Sequence, residues 1–367
     1  MIASFFHRWE QQLADVSRDD RVVRPFDWGL DWMTHHPEPF SARNGHAVLS
    51  PPETQPLTHV HQWVSDVMRD TDAFFTPDPT SEYTFTPADS VTQAGGEAGT
   101  LTFPSGFVTP HARNNTVHAR YFPANPLRKT KSAPKHRRAV VVLAQWNSDA
   151  EGHVGLCRLL AKLGIASLRI SLPYHDRRMP AELTRADYIV SANVVRTIQV
   201  CRQAVMDVRR ALWWLRDQGY DRLGLLGTSL GSCLAMLTGA HEPLVRAQAL
   251  NHVSPHFGDV VWRGLSTEHV RRGLEGHVDL EALRELWRPI SPWSYLDRIQ
   301  GKRTLLVYAK YDLTFPVDLS LKLITEWKRR VPDARIAVLP CGHYSTGAAP
   351  FKFIDGYYLG NFLARNL

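Results

Sequence analysis

A chain of 367 residues, 44% of them hydrophobic and 22% charged, is long enough for one large α/β domain with appendages or for two domains, and has an ordinary globular composition. No run of about 18 apolar residues is present, which excludes a transmembrane helix. The opening Met1-Ile2-Ala3-Ser4-Phe5-Phe6-His7-Arg8 lacks a basic region followed by an apolar stretch, so no secretory signal and a cytoplasmic location are expected. The formal charge of +7 is local: Arg128, Lys129, Lys131, Lys135, Arg137 and Arg138 fall in one short stretch, and without them the chain is nearly neutral. One basic loop suits a solvated connection between strands better than a nucleic-acid or membrane surface, so neither partner is expected. Cys157, Cys201, Cys233 and Cys341 have apolar neighbours and no metal-ligand spacing, which predicts buried reduced thiols and no metal.

In chain order, residues 1–99 are aromatic-rich and broken by proline, and predict an extension that packs on a main domain. Helices are expected over 5–13 and over 57–68, where Val60, Trp63, Val64 and Val67 share a face. Pro77, Pro79 and Pro87 interrupt the chain, and 93–99 is glycine-rich. Strands are predicted over 100–108 and 116–122, joined by a polar turn at Arg113-Asn114-Asn115. After the basic loop, 139–144 is a continuous apolar run, as expected of a strand buried on both faces. A helix over 153–163, a strand over 165–172, a long helix over 186–218 and a strand over 222–226 follow. Further on come a strand at 247–253, two amphipathic helical pieces within 255–290, strands at 304–309 and 334–339 about a helix at 319–330, and a terminal helix at 351–367. Strand and helix alternate from 139 onward, which predicts an α/β, doubly wound, mostly parallel sheet with its chemistry at the carboxyl ends of the strands.

At the end of the 222–226 strand stands Gly227-Thr228-Ser229-Leu230-Gly231, a G-x-S-x-G turn between a strand and a helix of small residues. A turn that tight leaves no room for side chains two residues either side of the serine, and it exposes the hydroxyl at a helix N-terminus. A serine hydroxyl needs a base, and the base needs an orienting acid. The 304–309 strand runs into Lys310-Tyr311-Asp312 and the 334–339 strand into Pro340-Cys341-Gly342-His343. Ser229, Asp312 and His343 are therefore expected from three successive strand ends, in the order Ser, Asp, His. Taken singly, Asp312 also suits a cap on the helix beginning near Pro316, and His343 a turn position.

This constellation resembles the α/β-hydrolase superfamily over roughly residues 100–367, with 1–99 unmatched. The resemblance implies an α/β-hydrolase fold with a helical cap insertion at about 255–290. It also implies Ser229 as nucleophile, His343 as base and Asp312 as acid, with no metal and no cofactor. An oxyanion hole would use the backbone N–H of Leu230 and a second N–H from Gln145 or Trp146. Gln145-Trp146-Asn147 stands where many lipases carry a Gly-rich His-Gly motif, which argues against a straightforward lipase. His175 falls in a loop bordering the site, and Trp262 and Trp293 in or beside the cap, as candidate substrate contacts, although loop support and packing are the plainer readings. The implied function is hydrolysis of a small carboxylic ester through an acyl-enzyme. A peptidase, thioesterase or acyltransferase would use the same residues, and a non-catalytic binding protein is the alternative of a different class. Oligomeric state is not legible.

Overall fold

The computed structural model describes residues 2–16, 20–33, 56–94, 96–127 and 135–367. Most of the basic stretch read as a solvated loop, 128–134, lies outside the described residues. The strands are β1 (Thr84–Pro87), β2 (Gly99–Pro104), β3 (Thr116–Phe122), β4 (Arg138–Leu143), β5 (Ala166–Ile170), β6 (Arg222–Thr228), β7 (Val245–Asn251), β8 (Arg303–Ala309) and β9 (Arg335–Leu339). They form one sheet in the order β1-β2-β3-β5-β4-β6-β7-β8-β9. Pairs from β5 onward are parallel, and β1, β2 and β3 extend the sheet antiparallel, as predicted for a mostly parallel α/β architecture.

The helices are α1 (Ile2–Asp15), α2 (Pro56–Arg69), α3 (Thr71–Phe75), α4 (Ser90–Ala94), α5 (Val154–Lys162), α6 (Val194–Asp217) and α7 (Leu230–His241). After β7 come α8 (Phe257–Arg263), α9 (Glu268–Leu274), α10 (Leu280–Leu286), α11 (Leu296–Ile299), α12 (Val317–Arg330) and α13 (Phe351–Asn366). Successive strand side chains point to opposite faces. Val140, Val142 and Leu226 therefore meet Cys157 and Leu160 of α5 and Leu359 and Leu363 of α13. Ala139, Val141 and Leu225 meet α6 and α7 on the other side. Both faces are covered, which is why the parallel strands read as unbroken apolar runs.

The two helical pieces expected within 255–290 are three, α8, α9 and α10, and three other predicted spans change. The 100–108 strand stops at Pro104: Gly106 then runs so close to α6 that a Cβ would lie 2.8 Å from the Cβ of Met206. The 186–218 helix begins only at Val194, where the Asn193 side chain accepts from the Arg196 N–H at 2.9 Å. Residues 186–193 are irregular, and Asn193 bridges to Asp27. Their apolar content belongs to packing that helical spacing alone could not separate from the helix. The third is the turn at 113–115, which is a short 3-10 helix, Ala112–Asn115. All four cysteines are free and buried. No helix among the described residues is long and apolar enough to cross a membrane.

The described N-terminal segments are built into the main core. Val60, Val64, Val67, Phe74 and Phe75 join the cluster on the α6 side of the sheet. The backbone carbonyls of Phe74 and Phe75 accept from the Arg202 and Arg209 guanidinium groups of α6, at 2.5 and 2.8 Å. Buried arginine thereby finds acceptors that an apolar core would deny it. Phe75→Ala is expected to lower the stability of the whole chain by about 3–5 kcal/mol, the cost of emptying a fully buried phenylalanine site. Calorimetric unfolding checks this: one transition should move, and an unmoved main transition would show that this segment folds apart from the sheet.

Candidate active site

Ser229 links β6 to α7 with φ +56° and ψ −120°, a conformation that a non-glycine residue adopts only when its surroundings impose it. The two flanking glycines explain how. A Cβ on Gly227 would lie 2.2 Å from the Gly231 carbonyl oxygen, and one on Gly231 would lie 2.3 Å from the Leu143 carbonyl oxygen at the end of β4. The Ser229 N–H donates to the Asn251 carbonyl of β7 at 2.8 Å. Leu230 opens α7, so its N–H has no partner within the helix and lies at the helix's positive end.

His343, in the turn after β9, lies between a hydroxyl and a carboxylate. Its Nε2 is 3.0 Å from Ser229 Oγ and its Nδ1 is 2.9 Å from Asp312 Oδ2. A carboxylate only accepts, so Nδ1 carries the proton and Nε2 presents its lone pair to the serine hydroxyl. The other Asp312 oxygen, Oδ1, accepts from the backbone N–H groups of Thr314 and Phe315 at 2.8 and 2.7 Å. Asp312 thus holds its own loop with one oxygen and the histidine with the other; it does not cap the helix that follows, whose N-cap is Pro316 with no side-chain bond. Burial pushes this carboxyl up, but the His343 and His252 rings and their hydrogen bonds outweigh it and hold it well below the usual carboxylate range. The chemical capacity of the trio is deprotonation of a hydroxyl beside a helix N-terminus.

The strand ends are not successive as expected. β7 lies between those that carry Ser229 and Asp312, and at its end stands His252, a residue the sequence reading placed inside a strand. Its Nδ1 is 2.9 Å from the same Asp312 Oδ2, and it is 1% exposed. Burial, first, and the neighbouring His343 hold His252 below its ordinary range. His252, Asp312 and His343 offer ligand-type atoms within 4.8 Å of one another. Both Nδ1 atoms carry protons directed at the carboxylate, so neither has a lone pair to give a cation and the hydrogen bonds account for the cluster.

A second residue beyond the expected ones is Glu10 of α1. It is fully buried and accepts from Tyr344 N–H, Ser345 N–H and Ser345 Oγ at 2.8, 2.9 and 2.7 Å. A Cβ on Gly342 would lie 2.2 Å from its carboxyl carbon, so only glycine lets the carboxylate reach the turn. The N-terminal extension, in which no catalytic pattern was legible, thus braces the turn that carries His343. The Phe315 ring stacks on His343 from the other side, with centroids 5.3 Å apart.

The loop after β4 is held by His175. Its Nε2 accepts from the Asn147 N–H at 3.0 Å and its Nδ1 donates to the Pro173 carbonyl at 2.8 Å, while burial pushes it down to about 4. Both ring nitrogens are thereby engaged in shaping the Gln145-Trp146-Asn147 loop. Trp146 donates to the Ala186 carbonyl at 2.9 Å and stacks on His269. Gly231 packs under the Leu143 and Ala144 carbonyls, which brings this loop beside Leu230.

A cavity of about 1400 Å³ opens over Ser229 and His343, with Trp146, Met179, Val190, Cys233, Phe257 and Val261 among its walls. Trp262 and Trp293 do not line it: both pack partly buried against the core, and Trp293 lies against His256 and Lys322. The candidate contacts that face the cavity come instead from the inner side of α8. The far wall holds Asp355 of α13, whose Oδ2 accepts from Asn251 Nδ2 at 3.0 Å. Asp355 Oδ1 and Asn251 Oδ1 are buried acceptors with no donor among the described residues, and burial pushes the Asp355 carboxyl up to about 7.

Residues 108–261, less than half of the chain, match the sequence profile of the family described as "Alpha/beta hydrolase domain containing 18". That span includes Ser229 and His252 and ends before Asp312 and His343. No curated protein matches the sequence. An acetyl xylan esterase from Thermoanaerobacterium sp. has a similar structure, with a TM-score of 0.55 and 16% identity over 92% of this chain and 99% of that one. An esterase of Pyrococcus furiosus gives a TM-score of 0.52 and 14% identity over 79% and 97%. The acylaminoacyl peptidase of Pyrococcus horikoshii gives 0.55 and 14% over 78% of this chain, which spans only 42% of that peptidase. At these identities the likeness is one of fold.

Two measurements probe the supports of this site. Glu10→Ala should cost about 1–3 kcal/mol for each N–H left without an acceptor, and should accelerate hydrogen exchange at the Tyr344 and Ser345 amides above all others. Exchange unchanged at those two amides would remove the bracing role. Asp355 has a folded-state value raised above its unfolded one. Its contribution to stability is therefore complete at acid pH and is lost as pH rises through about 7. Stability of the wild type should fall relative to Asp355→Asn between about pH 4 and pH 7 in denaturant titrations, and parallel curves would show that Asp355 is ionised throughout.

Proposed function

We propose that this chain, a member of the α/β-hydrolase superfamily, is a serine hydrolase that cleaves a small carboxylic ester through an acyl-enzyme. The observation that carries the reading is the continuous hydrogen-bonded line from Ser229 Oγ through His343 to Asp312, at 3.0 and 2.9 Å, opening onto the cavity.

In this reading His343 Nε2 takes the Ser229 proton as Oγ attacks the substrate carbonyl. Asp312 keeps the imidazole in the Nδ1–H tautomer and stabilises the charge it gains. The oxyanion is received by the Leu230 N–H and by a second N–H from Gln145 or Trp146, in the loop that His175 supports. His343 then passes its proton to the leaving alcohol, and water repeats the sequence on the acyl-enzyme. These steps use side chains and backbone alone, and call on no metal or organic cofactor.

An ester is favoured over an amide for two reasons. An alcohol leaves with less help from the general acid than an amine does. The reacting serine also lies only 6% exposed beneath a walled cavity, which fits a small substrate better than a polypeptide. The esterases and the peptidase of similar fold show that this architecture accommodates either chemistry. Thioester cleavage and acyl transfer to an acceptor other than water are variants on the same residues.

A fluorophosphonate probe tests the nucleophile directly. The wild type should be labelled on Ser229, and Ser229→Ala should lose both the label and p-nitrophenyl ester turnover, by about 10⁴-fold or more. A folded wild type that takes no label overturns the reading. A panel of p-nitrophenyl esters of increasing acyl length beside aminoacyl anilides separates esterase from peptidase.

A further inference from the structure

We propose that His252 is a positioning residue of this site: as a second imidazole on Asp312 Oδ2, it fixes the carboxylate and limits how strongly that carboxylate holds the proton of His343. The proposal rests on the reading of Ser229, Asp312 and His343 as the reacting trio.

The geometry is specific. His252 Nδ1 and His343 Nδ1 each lie 2.9 Å from the same carboxylate oxygen, and the two rings are 4.2 Å apart at their centroids, tilted by 43°. His252 follows β7 directly and has φ +55°, so its backbone is bent to bring the ring back over Asp312. Ser232 Oγ of α7 lies 2.8 Å from the His252 carbonyl oxygen, and the preceding Asn251 carbonyl accepts from the Ser229 N–H. One dipeptide therefore touches both the nucleophile's backbone and the acid's carboxylate.

Hydrogen-bond capacity shows what this does. Asp312 Oδ1 is occupied by two backbone N–H groups, and Oδ2 has room for two more donors. His343 takes one and His252 the other, so the carboxylate is saturated and cannot rotate toward either ring. Because Asp312 accepts only, His252 must carry a proton on Nδ1 to fill this place. The charged or titratable groups facing it are Asp312 from the loop after β8, His343 from the turn after β9 and Glu10 from α1. Its donated N–H draws on the negative charge of Oδ2. With less charge available to His343, the imidazolium formed during attack releases its proton to the leaving group more readily. Without His252, Oδ2 would hold that proton more firmly.

Two variants separate this role from mere packing, since both tolerate a positive φ. His252→Asn retains an N–H at the position of Nδ1, and His252→Gly removes it. In the Gly variant, the acid limb of kcat/KM for a p-nitrophenyl ester should move to higher pH by about half a unit or more, with kcat reduced about 10-fold and KM nearly unchanged. The Asn variant should return the profile toward that of the wild type. A Gly variant that still takes the fluorophosphonate label but keeps the wild-type pH profile overturns the proposal. If the wild type takes no label, the nucleophile reading fails instead. The hydrogen bond is then judged by NMR of ¹⁵N-histidine protein, in which downfield Nδ1 protons assigned to His252 and His343 should appear and both should vanish in Asp312→Ala. A His252 Nδ1 without a proton also overturns the proposal.

Discussion

The carboxylate of Asp312 is where the separate parts of this site are held to one another. It is 4% exposed, and four donors reach it from three places in the fold: the backbone of its own loop, the turn after β9 and the end of β7. A buried carboxylate with fewer partners would take up a proton and lose its hold on His343. With four donors it stays charged, and each donor is placed by a strand of the parallel sheet or by the loop leading from one. The lengths of β7, β8 and β9 and the register between them therefore translate directly into the position of His343 Nε2 over Ser229.

A second constraint comes from outside the sheet. The turn that carries His343 turns two backbone N–H groups toward α1, which pushes Glu10 into the space left by Gly342. A carboxylate at that point satisfies two backbone N–H groups that would otherwise be buried unpaired. The N-terminal extension is thus coupled to the base through one side chain, while α3 is coupled to α6 through arginine–carbonyl bonds. The same extension contributes to both the hydrophobic core and the rigidity of the site.

The alternation of elements and the mostly parallel sheet were legible because strands buried on both faces have no choice but to be apolar. Ser229 was legible because two glycines are forced around it, Gly227 by the backbone of the turn itself and Gly231 by the approach of α7 to β4. Asp312 and His343 followed from strand ends. His252 and Glu10 were not legible, for different reasons. His252 follows an apolar strand without a glycine or proline to mark its end, so a residue bent to φ +55° looked like one more strand position. Glu10 lies on an amphipathic helix where an acidic residue is ordinarily solvated, and its partners are more than three hundred positions away. The tryptophans of the cap misled because aromatic content reports burial, and here the burial is against the core and not the cavity.

The two sides of the cavity differ in what they ask of a ligand. On the α8 side Phe257, Val260 and Val261 offer apolar contact, which is indifferent to the orientation of what it covers. On the α13 side Asn251 and Asp355 present oxygen acceptors whose state changes with one proton. Asn251 also holds the Ser229 N–H through its backbone, so this pair is not remote from the reacting hydroxyl. Movement of α13 away from β7 would strip Asp355 of the Asn251 amide, and movement of β7 would disturb Ser229 and His252 together. The terminal helix is therefore tied to the nucleophile through Asn251, whose side chain faces the wall and whose carbonyl fixes the elbow.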